Sequence, residues 1–297
     1  MKNNNISSTK YVIITPVRDE EDRIEKTIQS VLAQTVQPAE WIIVNDGSTD
    51  NTERIIQKYQ QQNYIIKLIN KPDRGYRKSG TGVMEAFHEG YKRVQTKDWE
   101  YLVKLDADLS FDANYFSSCF DEFYNNPRLG IGGGVISSLV NNKLITEGLN
   151  DPKFHVRGAT KIYRRQCWDE IGGLHKTTGW DTIDELKANM LHWQTYSFPH
   201  IHLTQLKETG TSDGVWKNWI KNGRANYIAG YHPLFMMFKV IKRCFQKPYG
   251  GISSALAIGY FSLLFKKAER VDDEALIRYV RQQQINRLLF KKSIWTY

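Results

Sequence analysis

The stretch Tyr101-Leu-Val-Lys-Leu-Asp106-Ala-Asp108-Leu-Ser-Phe111 decides the fold and the site of this 297-residue chain. Its short apolar run is typical of a buried strand. Two carboxylates, Asp106 and Asp108, follow where that strand ends, and ligands bind at the carboxyl ends of strands in open α/β sheets. Such a pair suits a hard cation such as Mg²⁺ or Mn²⁺, which in turn suits the two phosphates of a nucleotide diphosphate. Aspartate is also common in turns, so a turn-forming role is the alternative.

Predicted strands and helices alternate along the residues before this stretch. The predicted strands lie at 11–16, 41–44, 65–69 and 101–105. One predicted helix lies at 23–34, a second begins after a cap at Ser48 or Thr49, and a third ends at about residue 93 after starting near residue 82. This alternation at short spacing predicts βαβ units and a parallel sheet. Asp46 then lies at the C-terminal end of the second strand, where it could accept a hydrogen bond from a base or a ribose, or form an Asx-turn.

Length and cysteine content set the broad class. A chain of 297 residues can bury a full core, as one large domain or as a domain with an extension. Its three cysteines are scattered and have no metal-ligand spacing, which favours a reducing compartment over a disulfide framework. The first ten residues are polar and lack the apolar core of a signal peptide. We therefore expect a cytoplasmic protein, either free or peripheral on the inner face of the cell membrane.

The formal charge of +9 is concentrated at the C-terminal end. Residues 217–297 carry a net charge of +11, while residues 1–216 carry −2. Two apolar segments in this basic part, 227–238 and 250–265, fall short of the roughly 20 apolar residues of a spanning helix. They favour peripheral membrane contact, and an oligomer interface or a cover for the preceding domain is the alternative. A basic amphipathic helix is predicted at 273–290.

Several classes of protein are disfavoured by missing motifs. No Gly-x-Gly-x-x-Gly follows the first predicted strand, and no Gly-x-x-x-x-Gly-Lys-Ser/Thr occurs, which disfavours dinucleotide-binding domains and P-loop NTPases. A nucleotidyltransferase is also disfavoured, because the glycine-rich start that such enzymes usually have after the first strand is missing here. The basic tail with its aromatic residues raises the possibility of nucleic-acid binding, but no recognised nucleic-acid motif accompanies it, so we expect no nucleic-acid partner.

Three segments together resemble one known family. Ile-Thr-Pro-Val-Arg-Asp-Glu at 14–20, Val-Asn-Asp-Gly-Ser-Thr-Asp at 44–50 and Lys-Leu-Asp-Ala-Asp at 104–108 have the order and spacing of the family 2 glycosyltransferases. The resemblance covers about residues 10–205. It implies an α/β GT-A fold, a Rossmann-like, mostly parallel sheet flanked by helices, and a nucleotide-sugar donor. The expected organisation is a catalytic domain at 1–216, with a nucleotide-sugar half at about 10–110 and an acceptor half at 111–216, followed by a helical extension at 217–297.

The resemblance also implies roles for single residues on the donor side. Thr15, Pro16 and Glu20 would line the nucleotide pocket, and Asp46 would contact the base. Asp106 would lie near the ribose and the metal.

The resemblance places a metal, Mg²⁺ or Mn²⁺, on Asp106 and Asp108, where it would bridge the two donor phosphates. Arg74, Arg77 and Lys78 bring cations to a loop and a helix start, a place that suits phosphate, and Arg74 and Lys78 are the predicted donor contacts; a solvated charge cluster is the alternative. The family often has a histidine after the helix of the acceptor half, and Gln205 stands close to that position.

The catalytic base follows from aligning Leu-Lys-Ala at 186–188 on the Leu-Arg-Ala of the family. This alignment makes Asp181 the base and puts Trp180 where the family has glutamate. A shift of register would make Asp184 or Glu185 the base instead. A helix cap is the alternative role for an acid at a helix start.

The sequence thus predicts a metal-dependent, inverting glycosyltransferase of the hexosyltransferase type. The donor would be a nucleotide diphosphate sugar, with UDP favoured, and the acceptor a hydroxyl of a lipid-linked or growing surface saccharide. The alternative is a non-catalytic module of the same fold that binds a sugar nucleotide or a polysaccharide. Membrane contact through 217–297 and a homo-oligomer are both left open.

Overall fold

The computed structural model describes residues 8–76, 81–140, 143–146, 148, 151–206, 214–245 and 250–296. Lys78, a predicted phosphate contact, lies outside the described residues.

The strands and helices follow one another along the chain in a mixed α/β order. The strands are β1 (Tyr11–Val17), β2 (Glu40–Asn45), β3 (Ile66–Asn70), β4 (Tyr101–Leu105), β5 (Leu109–Phe111), β6 (Leu129–Val140), β7 (Lys143–Thr146), β8 (Thr160–Arg164) and β9 (Gln194–Gln205). The helices are α1 (Ile24–Leu32), α2 (Thr52–Gln62), α3 (Thr81–Lys92), α4 (Tyr115–Asn125), α5 (Arg165–Ile171), α6 (Trp180–Met190), α7 (Val215–Ile228), α8 (Pro233–Cys244), α9 (Gly251–Phe265) and α10 (Glu274–Leu288). A short 3₁₀ turn at Ile294–Thr296 follows.

Within the described ranges the strands form one sheet in the order β3-β2-β1-β4-β8-β6-β9-β5, with β7 paired to β6. The first four strands are parallel, as predicted. Beyond β4 the sheet is mixed, because β8 runs antiparallel to both β4 and β6 while β9 runs parallel to β6. The chain leaves β4 at Asp106 and starts β5 at Leu109, at the far end of the sheet order beside β9. Asp106 and Asp108 therefore lie where the chain passes from one half of the sheet to the other.

Alternate residues of the central strands supply two cores, one on each face of the sheet. Ile13 and Val103 pack with α1, α2 and α4 on one face. Ile14 and Leu102 pack with α3, α5 and α6 on the other face. Strands buried on both faces are nearly continuous apolar runs, which is why they could be recognised in the sequence.

The C-terminal helices share a third core with the acceptor half. Tyr227, Met236 and Leu256 pack in the same cluster as Ile183 and Leu186 of α6. Helices α7 and α9 cross very closely, since a Cβ on Gly223 would lie 2.2 Å from the Leu256 carbonyl oxygen. These helices are thus packed against the preceding part of the chain, and the domain boundary after residue 216 stays a prediction. Among the described residues, none of the helices combines the length and the apolar character needed to cross a membrane.

Two local predictions have different outcomes. The predicted strand in the glycine-rich segment is confirmed, because β6 begins at Leu129. The predicted cap of α2 at Ser48 or Thr49 is wrong, because the helix begins at Thr52 after Asn51. Both residues instead join the loop after β1: the Asp19 amide donates to Ser48 Oγ at 3.0 Å, and the Thr49 amide donates to Asp19 Oδ1 at 2.8 Å.

Candidate active site

Asp46 follows β2 directly and is held by the neighbouring strand. The Asp46 amide donates to the Val17 carbonyl at 2.8 Å, and Arg18 Nη1 donates to the Asp46 carbonyl at 2.5 Å. At this point the side chain that accepts a backbone hydrogen bond is that of Asn45, whose Oδ1 accepts the Ser48 amide at 2.9 Å. The Asp46 carboxylate is therefore available for other partners at the carboxyl end of the sheet.

Two cations bind the buried Asp46 carboxylate. Lys71 Nζ lies 2.6 Å from Oδ1, and Arg74 Nη2 lies 2.7 Å from Oδ2. Burial alone would raise the pKa of Asp46, but the hydrogen bonds from Arg74 and Lys71 outweigh it, and the pKa is lowered. Arg74 was predicted from the sequence, whereas Lys71, which follows β3 directly, was not, because it has no motif of its own. The structure thus brings Asp46, the predicted contact of the nucleotide base, together with Arg74, the predicted contact of the phosphates.

The remaining predicted pocket residues lie at the end of β1 and in the loop that follows. Thr15 is fully buried, and its Oγ1 accepts a hydrogen bond from Trp41 Nε1 at 3.0 Å. Pro16 is also buried. The Glu20 carboxylate lies 3.3 Å from Arg23 Nη1. Because the Thr15 side chain points into the core, only its backbone is placed to line a pocket, and the three nucleotide contacts stay predictions.

Asp106 and Asp108 are held by different partners after β4. Lys104 Nζ, buried in the strand, donates to Asp106 Oδ1 and, at 2.6 Å, to the Gly158 carbonyl. Asp106 keeps 31% of its side chain exposed. Asp108 is buried, and Gln205 Nε2 donates to its Oδ2 at 3.1 Å. Gln205, which stands close to the position where the family often has a histidine, thus contacts the predicted metal ligand Asp108.

The carboxylate pair fits a cation that arrives with a diphosphate. No group of three or more His, Cys, Asp and Glu side chains that could hold a metal occurs in the part of the chain that the structure describes. Mg²⁺ does not need such a cage, since it is usually bound by one or two carboxylates together with substrate phosphates and water. Asp106 and Asp108 supply the hard oxygen ligands for this mode of binding, although Lys104 already occupies one oxygen of Asp106.

Asp181 lies next to the segment that Lys104 contacts. It is the second residue of α6 and is partly exposed. A Cβ at position 158 would stand 3.1 Å from Asp181 Oδ2, so a glycine at this position leaves room beside the Asp181 carboxylate. Lys104 thus bonds to both Asp106 and the Gly158 carbonyl, and the Asp181 carboxylate lies beside Gly158. The predicted metal ligand Asp106 and the predicted catalytic base Asp181 are therefore both near the Lys104–Gly158 contact.

Asp184 and Glu185, the alternative bases, belong to a buried network. Both are buried, as is Lys161, whose Nζ lies 3.0 Å from Asp184 Oδ1 and 2.7 Å from Glu185 Oε1. Tyr163 also donates to Asp184 at 2.6 Å. Burial raises the pKa of Asp184 although Lys161 opposes it. Since neither acid reaches the surface, the geometry favours Asp181 over the shifted register.

His155 extends this network toward the surface. Its Nδ1 lies 2.9 Å from Glu185 Oε2. Burial alone would lower the pKa of His155, but the charge of Glu185 and its hydrogen bond outweigh this, so the pKa is raised. Glu185 therefore stabilises the protonated form of His155 in the folded protein, and this interaction is absent from the unfolded chain.

This shift predicts a pH dependence of stability. A histidine whose pKa is raised on folding stabilises the protein fully below its unfolded pKa of about 6.5, and that stabilisation is lost as the pH rises through the folded value. We expect His155→Asn to lower the urea midpoint at pH 6 more than at pH 8.5. Urea unfolding of both proteins at the two pH values tests this. An equal loss at both would mean that His155 is neutral in the fold.

Comparison with known proteins gives one matching family. The family model "Glycosyl transferase family 2" matches residues 12–179. The poly-beta-1,6-N-acetyl-D-glucosamine synthase of Staphylococcus epidermidis is 32% identical over 245 residues, which are 72% of this chain and 55% of that protein. The synthase of Staphylococcus aureus strain MSSA476 is 33% identical over 112 residues, 38% of this chain and 25% of that protein. The chain thus spans about half, or less, of the length of these curated relatives.

Solved structures resemble the fold over most of the chain. The mannosyltransferase PcManGT from Pyrobaculum calidifontis, in complex with GDP-Man and Mn²⁺, has a TM-score of 0.57 at 13% identity and covers 97% of this chain and 77% of its own. Residues 1–349 of TarS from S. aureus, in complex with UDP, have a TM-score of 0.53 at 13% identity, with 87% and 72% covered. At such identities the likeness concerns the fold alone. It confirms the predicted GT-A type of mixed α/β fold.

Proposed function

The chain belongs to glycosyl transferase family 2, and we propose that it is an inverting glycosyltransferase that moves a hexosyl group from a nucleotide diphosphate sugar to a hydroxyl. The observation that carries this proposal is the arrangement around Lys104, which bonds to Asp106 and to the Gly158 carbonyl, with the Asp181 carboxylate beside Gly158. It joins an acidic site suited to a metal-bound diphosphate with a partly exposed carboxylate suited to proton removal.

In the proposed reaction Asp181 accepts the proton of the acceptor hydroxyl while that oxygen attacks the anomeric carbon. The new bond to the acceptor oxygen forms as the bond between the anomeric carbon and the diphosphate oxygen breaks, so the configuration inverts. Negative charge develops on the leaving diphosphate. A Mg²⁺ or Mn²⁺ ion on Asp106 and Asp108 would supply Lewis-acid neutralisation of that charge. Asp46, with Lys71 and Arg74, would hold the nucleotide at the ends of β2 and β3.

The donor and acceptor are proposed from the relatives. UDP is the favoured nucleotide and GDP is the alternative, since of the structurally similar proteins TarS holds UDP and PcManGT holds GDP-Man. The acceptor is a hydroxyl of a lipid-linked or growing saccharide, since the named relatives are synthases of a polysaccharide. Peripheral membrane contact through residues 217–297 and a homo-oligomer are further proposals.

A donor screen tests the proposal. Purified protein is incubated with UDP-sugars and GDP-mannose, with Mg²⁺ or Mn²⁺ and with or without short saccharide acceptors, and the released nucleotide is measured. Release that depends on the acceptor supports a transferase. Tight binding of a nucleotide sugar without release from any donor would favour the non-catalytic binding module.

Asp108→Ala should weaken metal-dependent UDP binding by about tenfold or more, because it removes a carboxylate oxygen from the proposed metal. Calorimetry with UDP in the presence of Mn²⁺ and in the presence of EDTA measures the metal-dependent part. Asp112→Ala, which removes an exposed acid just after β5, is the matched control and should bind as the wild type does. An unchanged metal-dependent affinity in Asp108→Ala would exclude Asp108 from the metal site.

A further inference from the structure

We propose that one face of α8 inserts into the interfacial layer of an anionic membrane. This outer face of α8 is formed by Leu234, Met237, Phe238 and Ile241 of the helix and by Phe245, which directly follows it. The inference specifies the proposed membrane contact of the C-terminal extension, and it depends on the exposed surface rather than on the chemistry of the active site.

The outer face is a continuous apolar stripe. Its five residues are between 42% and 78% exposed. They stand at positions i, i+3, i+4, i+7 and i+11, which at about 100° per residue places them on one side of the helix. The opposite side of α8 supplies Met236 to the core that contains α6 and α9. Helix α8 is thus apolar on both sides, and only the inner side is covered by the described residues.

Single exposed apolar residues are normal on soluble proteins, but a contiguous apolar stripe marks a contact surface. Helix α9, which packs against α8, adds Ile258 and Phe265, which are exposed and lie seven residues apart on one face. Two neighbouring helices therefore each present an apolar side to the surroundings.

Charge decides between the candidate occupants. The exposed Lys242 follows Ile241 and borders the stripe, and the exposed Lys266 and Lys267 follow Phe265 on α9. Lysines in such positions can keep their aliphatic stems in the apolar layer and place their ammonium groups among anionic headgroups. A second copy bound through the same surface would bring two strongly basic faces together, since residues 217–297 carry +11. An anionic lipid surface has the complementary charge.

The length of α8 sets its orientation. Twelve residues give a helix of about 18 Å, which is much shorter than the roughly 30 Å hydrocarbon layer. The helix would therefore lie in the plane of the interface, with its inner side still packed on the protein.

This docking would bring the acceptor half to the membrane surface. Met236 of α8 packs in the same core as Ile183 and Leu186 of α6, and α6 begins with the residues that include Asp181. A lipid-linked acceptor held in that membrane would thus be presented to the helix that bears the proposed base.

Vesicle sedimentation tests the inference. The full chain is mixed with vesicles of phosphatidylcholine and phosphatidylglycerol, or of phosphatidylcholine alone, at about 0.15 M salt. We expect sedimentation with the anionic vesicles and a loss of at least tenfold in apparent affinity for the double variant Phe238→Glu, Ile241→Glu. Tyr64→Glu replaces an aromatic residue that is 94% exposed beyond the end of α2, and it should bind as the wild type does. Equal thermal midpoints of the three proteins would show that folding is retained.

Two outcomes would overturn the inference. One is equal sedimentation of the double variant and the wild type. The other is a dimer in light scattering that the double variant abolishes while neither protein sediments with vesicles, which would identify a second copy as the occupant. Nucleotide release from a soluble donor and acceptor is measured on the same samples. Lost sedimentation with retained release leaves the transferase proposal intact, and retained sedimentation without release leaves the membrane contact intact.

Discussion

Asp181→Asn should lower the rate of sugar transfer by a factor of about 10² to 10⁴, while UDP binding in the presence of Mn²⁺ stays within about twofold of the wild type. Asparagine has nearly the same shape as aspartate but cannot take up the proton of the acceptor hydroxyl. Gly158 leaves room beside the carboxylate, so the amide fits without displacing its neighbours. The measurement pairs acceptor-dependent release of UDP with calorimetric binding of UDP.

The control for this variant is Asp169→Asn, which neutralises an exposed acid on α5 that lies 3.9 Å from Arg165. It should leave both transfer and binding unchanged. Asp184→Asn and Glu185→Gln are poor alternatives, because both acids hold the buried Lys161 and their replacement would disturb the fold. Transfer at the wild-type rate in Asp181→Asn would mean that another group is the base.

The first half of the sheet was predictable because its information is local. Strands β1, β2 and β4 are short apolar runs, and Asp46 and Asp106 follow directly where two of these runs end. The order of the second half was not predictable. The position of β5 beside β9 depends on contacts between residues almost 100 positions apart, such as the pairing of Leu109 with Gln205.

The partners of the site residues were hidden for the same reason. Lys71 reaches Asp46 from the next strand, and Lys104 reaches Gly158 across 54 positions of sequence. A lysine within an apolar strand run is the only sequence signal that Lys104 offers. Whether such a lysine is buried depends on the carboxylates and carbonyls that the fold brings to it, and these are not adjacent in sequence.

The pairing of β4 with β8 gives Trp180 a physical role. It sets Lys104 directly opposite Lys161, and both are buried. Like charges that face each other across strands destabilise a sheet. The Trp180 ring lies 5.3 Å from Lys104 Nζ and 5.6 Å from Lys161 Nζ, so one aromatic side chain meets both cations. The acids of the network then lie at Asp106 on one side and at Asp184 and Glu185 on the other.

Lys161→Met should destabilise the protein by about 3–5 kcal/mol at pH 7.5, because it leaves Asp184 and Glu185 buried without their cation. Urea unfolding followed by circular dichroism measures the loss. Lys58→Met, which removes a largely exposed lysine from α2, is the control and should change the free energy of unfolding by less than about 1 kcal/mol. A loss in Lys161→Met as small as that of the control would contradict the structural role of the network.

The pH dependence of Lys161→Met distinguishes a buried charge from a mere packing defect. Burial raises the pKa of Asp184 even with Lys161 present, and removal of the lysine takes away an interaction that opposes this shift. An acid whose pKa is raised on folding binds its proton more tightly in the folded state, so the folded variant gains stability relative to the wild type as the pH falls from 7.5 toward 5. The deficit of Lys161→Met should therefore shrink over this range. A deficit independent of pH would mean that the loss comes from packing around residue 161 and not from its charge.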